Sequence, residues 1–436
     1  MREVQQDLPG GGKTTAPRRR PRPRWRNREV WAISLSAFFS DTGYQGVLAG
    51  FPLFLVLTLH QPVWEFGLAS AIAYGGGTLF AWAGALLGDR FGHRRVAITG
   101  NALIPLLSLS ALWANPAVAI GLLCAGWWAR TFRTPSRRVM LGEAVPAEDD
   151  RNSVFGFLHA LDIGGGALAG TYVLIAVIEH VAFKWIFLGS ALPLAIATFS
   201  LTRCTTGRKA PASTPQEEAA PGARAPGARA PGAPQPALPG ATPFLVAAAL
   251  FGFTYYSVGF PVLTTAQGSG HLSVGIGAFL LLNAVSAATG YFVGPRLGSR
   301  LPDRFRDLGA LGYLFSVVGA ALLAFGYGEH LGTVTLMFGV VALGFALGIV
   351  ETVEPSLMSV LRPGRRAGRG FGALTAARSV GLALGNVIMG LLYGLGAEWA
   401  YGYAAVAGAA AVVIVLGAIP AARRAEGQPG QVVLAE

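Results

Sequence analysis

The stretch GALLGDRFGHRR (84–95) places one aspartate and three arginines in a short loop between two long apolar segments. Away from such loops the 436-residue chain is strongly apolar, with 53% hydrophobic and only 13% charged residues and a mean hydropathy of +0.50. A soluble domain has roughly 25% charged residues. The composition therefore excludes a water-soluble enzyme, a disulfide scaffold and a disordered chain, and indicates a polytopic membrane protein.

Apolar runs on both sides of this loop predict twelve membrane-spanning helices, because a span needs roughly 20 residues. The fold class predicted is an all-α membrane protein. The predicted spans are 30–59, 66–88, 95–114, 117–141, 152–178, 185–202, 243–265, 274–297, 308–327, 333–360, 370–395 and 398–420.

Basic residues are concentrated on one side of these spans. Of the 34 lysines and arginines, 30 belong to segments, or to the adjoining ends of spans, that an even number of spans places with the N-terminus. Basic loops stay in the cytoplasm during insertion. We therefore expect a multi-pass protein of the cytoplasmic (inner) membrane with both termini in the cytoplasm.

A Pro/Ala/Gly stretch, PGARAPGARAPGAPQPALPG (221–240), divides the chain in two. Such a composition cannot pack a core and is typical of a flexible linker. Short internal matches, such as FGFLHALDIGG (155–165) with FGALTAARSVG (371–381), support two parallel repeats. The predicted domains are a basic tail (1–29), a six-helix bundle (30–202), a linker (203–242), a second six-helix bundle (243–420) and a C-terminal tail (421–436).

The loop motif resembles the one between helices 2 and 3 of the major facilitator superfamily (MFS), whose pattern is G-x-L-a-D-R-x-G-R-R. With twelve spans and a central linker, the likeness to bacterial efflux-type permeases of this superfamily covers nearly the whole chain. It implies two pseudo-symmetric bundles, and a gate in which the loop aspartate faces the start of helix 11. The matching residues are Leu87, Asp89, Arg90, Gly92, Arg94 and Arg95. The alternative is that these charges only mark a cytoplasmic loop.

Seven charged residues fall well inside predicted spans, where an isolated charge costs a few kcal/mol and has to be paired or reach water; four of them are candidates for proton coupling. Asp41 and Asp162 lie near the middle of spans 1 and 5, and Arg130 and Arg378 lie within spans 4 and 11. We assign these four residues to proton coupling. Ion pairs that only fasten helices together are the alternative.

A central cavity between the halves, lined by spans 1, 4, 5, 7, 10 and 11, is the predicted substrate site. One helical stripe of span 1 carries hydrogen-bonding side chains beside Asp41, and span 10 carries two acids three residues apart. The candidate cavity residues are Tyr44, Gln45, Arg133, Thr254, Glu351 and Glu354.

These features predict a secondary active transporter that moves a small organic solute by alternating access, with proton-coupled export (antiport) as the working hypothesis. A gradient-independent facilitator or an importer, and a non-transporting receptor or scaffold, are the alternatives. No phosphate-binding loop or catalytic constellation suggests an ATP-driven pump or an enzyme.

The expected partners are the solute, protons and anionic lipid at the basic tail RRRPRPRWRNR (18–28). We expect no nucleic acid, since prolines interrupt the tail and no reading domain accompanies it. Two separated cysteines and six scattered histidines predict neither a metal site nor a cofactor. A monomer is expected.

Overall fold

The structure, a computed structural model, describes residues 27–145, 151–207, 241–254, 257–293, 305–361, 367–418, 422–424 and 432–434. All structural statements below concern these residues. Most of the basic tail, the central part of the predicted linker and the loop that repeats the 84–95 motif in the second half lie outside them.

Seven helices form the N-terminal half: α1 (Arg28–Pro52), α2 (Val63–Phe91), α3 (His93–Leu103), α4 (Pro116–Glu143), α5 (Arg151–Ile178), α6 (Phe183–Gly189) and α7 (Ala191–Thr202). A π-helical turn, Leu53–Thr58, extends α1, and a 3₁₀ segment, Ile104–Leu109, extends α3.

Seven further helices form the C-terminal half: α8 (Ala241–Thr254), α9 (Gly259–Ser269), α10 (Leu272–Phe292), α11 (Phe305–Gly328), α12 (Thr333–Leu361), α13 (Ala367–Tyr393) and α14 (Ala397–Ala418). Two three-residue strands, β1 (Ala422–Arg424) and β2 (Val432–Leu434), pair antiparallel in the predicted C-terminal tail. This hairpin is the one departure from the predicted all-helical chain among the described residues.

The helices confirm the predicted fold class. Two pairs, α6 with α7 and α8 with α9, each make one interrupted span, so that fourteen helices account for twelve crossings. Nine described segments are long and apolar enough to cross a membrane by composition alone. The other three crossings, formed by α1, by α3 with its 3₁₀ extension, and by α4, carry much of the polar chemistry.

We call the side of the bundle at which α1 begins the termini side, and the opposite side the far side. On the termini side the N-terminal half is tied together by hydrogen bonds to the chain that follows α7. Arg94 Nε and Nη2 donate to the carbonyls of Cys204 and Thr202 at 2.6 and 2.7 Å. Long cationic side chains satisfy helix C-terminal carbonyls in this way. Gly92 makes the preceding turn with φ of 94°, a conformation that favours glycine.

Glu29, in the first turn of α1, binds the same segment. Its carboxylate accepts hydrogen bonds from the backbone amides and hydroxyls of Thr205 and Thr206, at 2.8–3.2 Å. Partial burial raises the pKa of the Glu29 carboxyl, but these hydrogen bonds lower it by more, so its pKa lies below the ordinary value.

The two halves meet closely on the far side. A β-carbon at Gly67 of α2 would lie 2.8 Å from the Cα of Gly390 in α13, so the two backbones touch. Phe66 packs edge-on against Phe260 of α9, with ring centroids 5.0 Å apart. In a membrane no hydrophobic effect drives helices together, so close packing relies on small residues such as Gly67 and Gly390. The structure is therefore a state in which the far side is closed.

Substituting leucine for Gly67 should force α2 and α13 apart and open the far side, because overpacking a backbone contact costs about 1–3 kcal/mol. Ser70 is buried just below this contact. In a chain with Cys124 and Cys204 replaced, we expect Ser70→Cys to react several-fold faster with a maleimide when Gly67→Leu is present.

The matched control is Gly121→Leu, because a β-carbon at Gly121 would meet no atom within 4 Å. Labelling of Ser70→Cys should be unchanged in that background. Equal labelling in both leucine variants, with both proteins folded, would refute the far-side contact.

Replacing Glu29 with glutamine should destabilise the protein by about 1 kcal/mol near pH 7, because hydrogen bonds to an ionised acceptor are lost. A carboxyl whose pKa is lowered on folding stabilises the folded state at pH values above the ordinary pKa of glutamate, about 4.3. This stabilisation is lost as the pH falls through the lowered pKa. Thermal unfolding in detergent should therefore show a gap between wild type and variant at pH 7 that narrows at a pH below the ordinary pKa of glutamate. Glu179→Gln, at an exposed far-side loop, should show no gap at either pH.

Candidate functional site

Asp41 is the central acid of the N-terminal half. It lies midway along α1, is 6% exposed, and interacts electrostatically with Asp162, Arg130, Arg133 and Arg137. Gly165 of α5 permits this approach, since a β-carbon there would lie 3.1 Å from the Asp41 Cβ. The structure thus brings the two aspartates predicted for proton coupling into one charged network.

Arg130 joins this network from α4. Its guanidinium lies over the rings of Tyr44 and Trp127, 4.7 and 4.6 Å from their centroids. Desolvated cation–π contacts of this kind are worth about 2 kcal/mol. Arg130 also interacts electrostatically with Asp41 and Asp162. Three of the four predicted coupling residues therefore interact with one another, and Arg130 also contacts the predicted cavity residue Tyr44.

Arg137 is a member of the site that sequence reasoning missed. Its Nη2 lies 3.6 Å from Oδ1 of Asp162, and both side chains are largely buried. The spacing holds the signal that could have found it, because Arg130 and Arg137 stand seven residues apart on one face of α4. Both residues fall inside predicted span 4 (117–141), but Arg137 is not among the site residues predicted from sequence.

Arg133 and Gln45 have different surroundings. Arg133 is 1% exposed, and its Nη1 donates to Ser40 Oγ at 2.9 Å and to Asn101 Oδ1 at 2.5 Å. It therefore links α4 to α1 and α3 inside the N-terminal half. Gln45 is half-buried beside Gly166 of α5, next to the Asp41 network.

A second charged cluster lies in the C-terminal half. Arg378 Nη2 contacts Glu351 Oε1 at 2.6 Å, and its Nε lies 3.4 Å from Glu354 Oε2. Glu354 is 1% exposed and accepts a hydrogen bond of 2.6 Å from the Tyr313 hydroxyl. The structure therefore places Arg378 with the two glutamates, whereas the sequence hypothesis grouped it with Asp41 and Asp162.

Among the described residues, a longer-range electrostatic interaction connects the halves at the level of these clusters. Arg138 of α4 interacts with Asp162 in its own half and with Glu351 in the other. Arg138 is exposed, and the Glu351 side chain is 52% exposed. Both therefore lie at the accessible surface where the halves approach each other. Thr254 does not, since it is buried and its hydroxyl donates to the carbonyl of Phe251.

The residues of the predicted gate motif have different surroundings. Asp89 Oδ1 lies 3.3 Å from His93 Nε2, and 75% of the Asp89 side chain is exposed. Arg90 lies over the Phe91 ring, with its guanidinium carbon 5.3 Å from the centroid. Leu87 and Arg95 are exposed. The resemblance implies that Asp89 faces the start of helix 11, which is α13 in this structure. The side chains at the start of α13 lie outside those that are described.

A small enclosed cavity separates the Asp41 network from the far-side contact. Its volume of about 20 Å³ suits one water molecule. It is bordered by both halves, and one of its lining residues, Trp127, also contacts Arg130. Its walls include Leu48, Phe51, Tyr74, Trp127 and Ser257. Among the described residues, no group of three His, Cys, Asp or Glu could hold a metal ion.

The central charges are distributed unequally. Within the described spans, the N-terminal cluster has four arginines and two aspartates, whereas the C-terminal cluster has one arginine and two glutamates. The formal charges are therefore +2 and −1. The N-terminal residues are Arg130, Arg133, Arg137, Arg138, Asp41 and Asp162.

The fold is similar to that of solved transporters. A POT family transporter in complex with a thioalcohol conjugated peptide superposes with a TM-score of 0.69 at 12% identity, covering 89% of this chain and 95% of that one. A peptide transporter POT in complex with sulfate gives 0.68 at 15% identity, with 89% and 93% covered. The nucleoside transporter NupG gives 0.66 at 13% identity, with 89% and 97% covered. At these identities the likeness shows the fold alone.

No curated protein sequence matches the chain. The family model of the Major Facilitator Superfamily matches residues 33–326, about two thirds of its length. The match confirms the resemblance inferred from residues 84–95 and makes the chain a multi-pass membrane transporter rather than an enzyme. On this match and on its fold, the chain belongs to the major facilitator superfamily of secondary transporters.

Proposed function

We propose that this chain moves a small organic solute across the cytoplasmic membrane by alternating access and couples the movement to protons through Asp41 and Asp162. The observation that carries the proposal is the Asp41 network. A buried carboxylate there has a second carboxylate and three arginines within electrostatic range.

The network can respond to conformational change because its members lie on different helices. Asp41 is on α1, Asp162 on α5 and the arginines on α4. In a low dielectric, small changes in these separations change the charge that a carboxylate carries. Asp41 can therefore take up a proton in one state and release it in the other, while Arg130 holds the ionised form.

The termini side supplies the route for water and solute in the present state. The Asp162 side chain is 26% exposed, and Arg138 and Glu351 lie at the accessible surface where the halves approach each other. The far side is closed by the α2–α13 contact. Reversing that closure exposes the same network to the other side, which is the geometric requirement of alternating access.

The proposed solute is a small organic compound, to be identified by screening. The structural relatives include proteins solved with a conjugated peptide and with 5-aminolevulinic acid, together with a nucleoside transporter. These compound classes form a first panel for thermal-shift screening. Export in exchange for protons stays the predicted direction.

Replacing either aspartate with asparagine should abolish coupling, because a neutral amide cannot carry the proton. In proteoliposomes with an imposed proton gradient, we expect gradient-driven flux of a screened solute to fall at least tenfold in Asp41→Asn and Asp162→Asn. Solute exchange without a gradient should persist.

Asp307→Asn is the matched control, since this exposed aspartate pairs with Arg306 at the start of α11. Its flux should equal that of wild type. Undiminished gradient-driven flux in both central variants would remove the coupling proposal. Reversing the gradient distinguishes an exporter from an importer, and flux insensitive to either gradient identifies a facilitator.

One observation favours a structural role for the second cluster. Arg378 is paired with both Glu351 and Glu354. Removing one partner of a buried pair costs about 3–5 kcal/mol, because it leaves an uncompensated charge. We expect Arg378→Gln to lower the free energy of unfolding by this amount. Glu351→Gln, at a half-exposed position, should cost below about 1 kcal/mol.

The double variant Arg378→Gln/Glu354→Gln should recover most of the stability lost in Arg378→Gln, because no buried charge is left unpaired. Thermal unfolding in detergent measures all three variants. If the double variant is no more stable than Arg378→Gln alone, the pair is not the fastening element described here.

A further inference from the structure

A groove of about 590 Å³ opens on the outer surface of the N-terminal half, between the beginning of α1 and the end of α7. It is separate from the space between the halves. Trp31, Leu35 and Phe199 line it and are 36–58% exposed. Large apolar side chains exposed on the outside of a membrane-spanning bundle face lipid. The groove therefore lies at the level where the termini-side membrane surface meets the protein.

The lining residues follow helical spacing. Arg28, Trp31 and Leu35 stand at positions i, i+3 and i+7 and share one face of α1. Phe199 on α7 and Arg203, the residue directly after α7, are four residues apart. Both helix ends thus present an arginine at the surface and an apolar side chain deeper in the membrane. Tryptophan is enriched at this interfacial depth.

The two arginines give the groove a positive charge that the described residues do not neutralise. Neither Arg28 nor Arg203 has a described carboxylate within 4 Å. The Arg203 guanidinium lies over the Phe199 ring, 4.5 Å from its centroid. The neighbouring acid, Glu29, is engaged by Thr205 and Thr206 and is not among the lining residues.

We propose that this groove binds one anionic phospholipid, with its phosphate between Arg28 and Arg203 and an acyl chain along Trp31, Leu35 and Phe199. Charge complementarity selects an anionic headgroup, and the apolar wall distinguishes a lipid from a free phosphate. A volume of about 590 Å³ lies within the range of specific small-molecule sites, roughly 300–1,000 Å³. The site is independent of the proposed transport function.

Quenching of Trp31 fluorescence by brominated lipids tests the proposal directly. The chain has nine tryptophans, so the Trp31 signal is defined as the difference between the full-length protein and its Trp31→Phe variant. In mixed micelles, brominated phosphatidylglycerol should quench this signal at a much lower mole fraction than brominated phosphatidylcholine. A basic residue near an anionic lipid surface is worth about a fivefold preference, so two predict roughly 25-fold.

The double variant Arg28→Gln/Arg203→Gln should remove most of this preference for the anionic lipid. Each single variant should lower the preference about fivefold. Arg28→Lys/Arg203→Lys keeps the charge and should retain the preference within about threefold, which also controls for folding. Arg306→Gln, an arginine at the start of α11 outside the groove, should behave as wild type.

Three results would overturn the proposal. One is equal quenching by the anionic and the zwitterionic lipid in the wild-type protein. Another is an unchanged preference in a folded Arg28→Gln/Arg203→Gln variant. The third is full displacement of the anionic lipid by soluble glycerol phosphate, which would identify a phosphate site rather than a lipid site.

Discussion

An ionised side chain inside a membrane-spanning bundle requires a counter-charge or contact with water, and this constraint organises the whole molecule. The described central region meets it in two ways. In the N-terminal half, arginines outnumber acids and cluster around Asp41 and Asp162. In the C-terminal half, one arginine neutralises Glu354 at close range. The first arrangement leaves charge that can be redistributed, whereas the second is closed on itself.

The two halves therefore differ in charge within one pseudo-symmetric fold. Asp162 and Arg378 occupy equivalent positions in the repeat, yet Asp162 belongs to an open network and Arg378 to a compact cluster. Arg138 is the link between them, since it interacts with acids of both halves.

Much of the fold could be predicted from sequence because bilayer thickness dictates span length. All twelve predicted spans coincide with helices to within a few residues, apart from parts outside the described residues. The breaks between α6 and α7 and between α8 and α9 could not be predicted, since apolar content continues across them.

The depth at which Asp41 and Arg130 lie in the bundle could also be predicted, because their positions within the spans give it. The direction in which a side chain points could not, because tertiary packing decides it. Arg133 consequently binds Ser40 and Asn101, and Thr254 binds its own helix backbone.

The short segment 202–207 has a mechanical consequence. Arg94 binds its carbonyls, Glu29 binds its amides and hydroxyls, and Glu143 accepts a hydrogen bond from the amide of Gly207. The ends of α1, α3, α4 and α7 are thereby joined at one node. Because these hydrogen bonds join four helices, a force applied at residue 207 is shared among them and does not fall on the last turn of α7 alone.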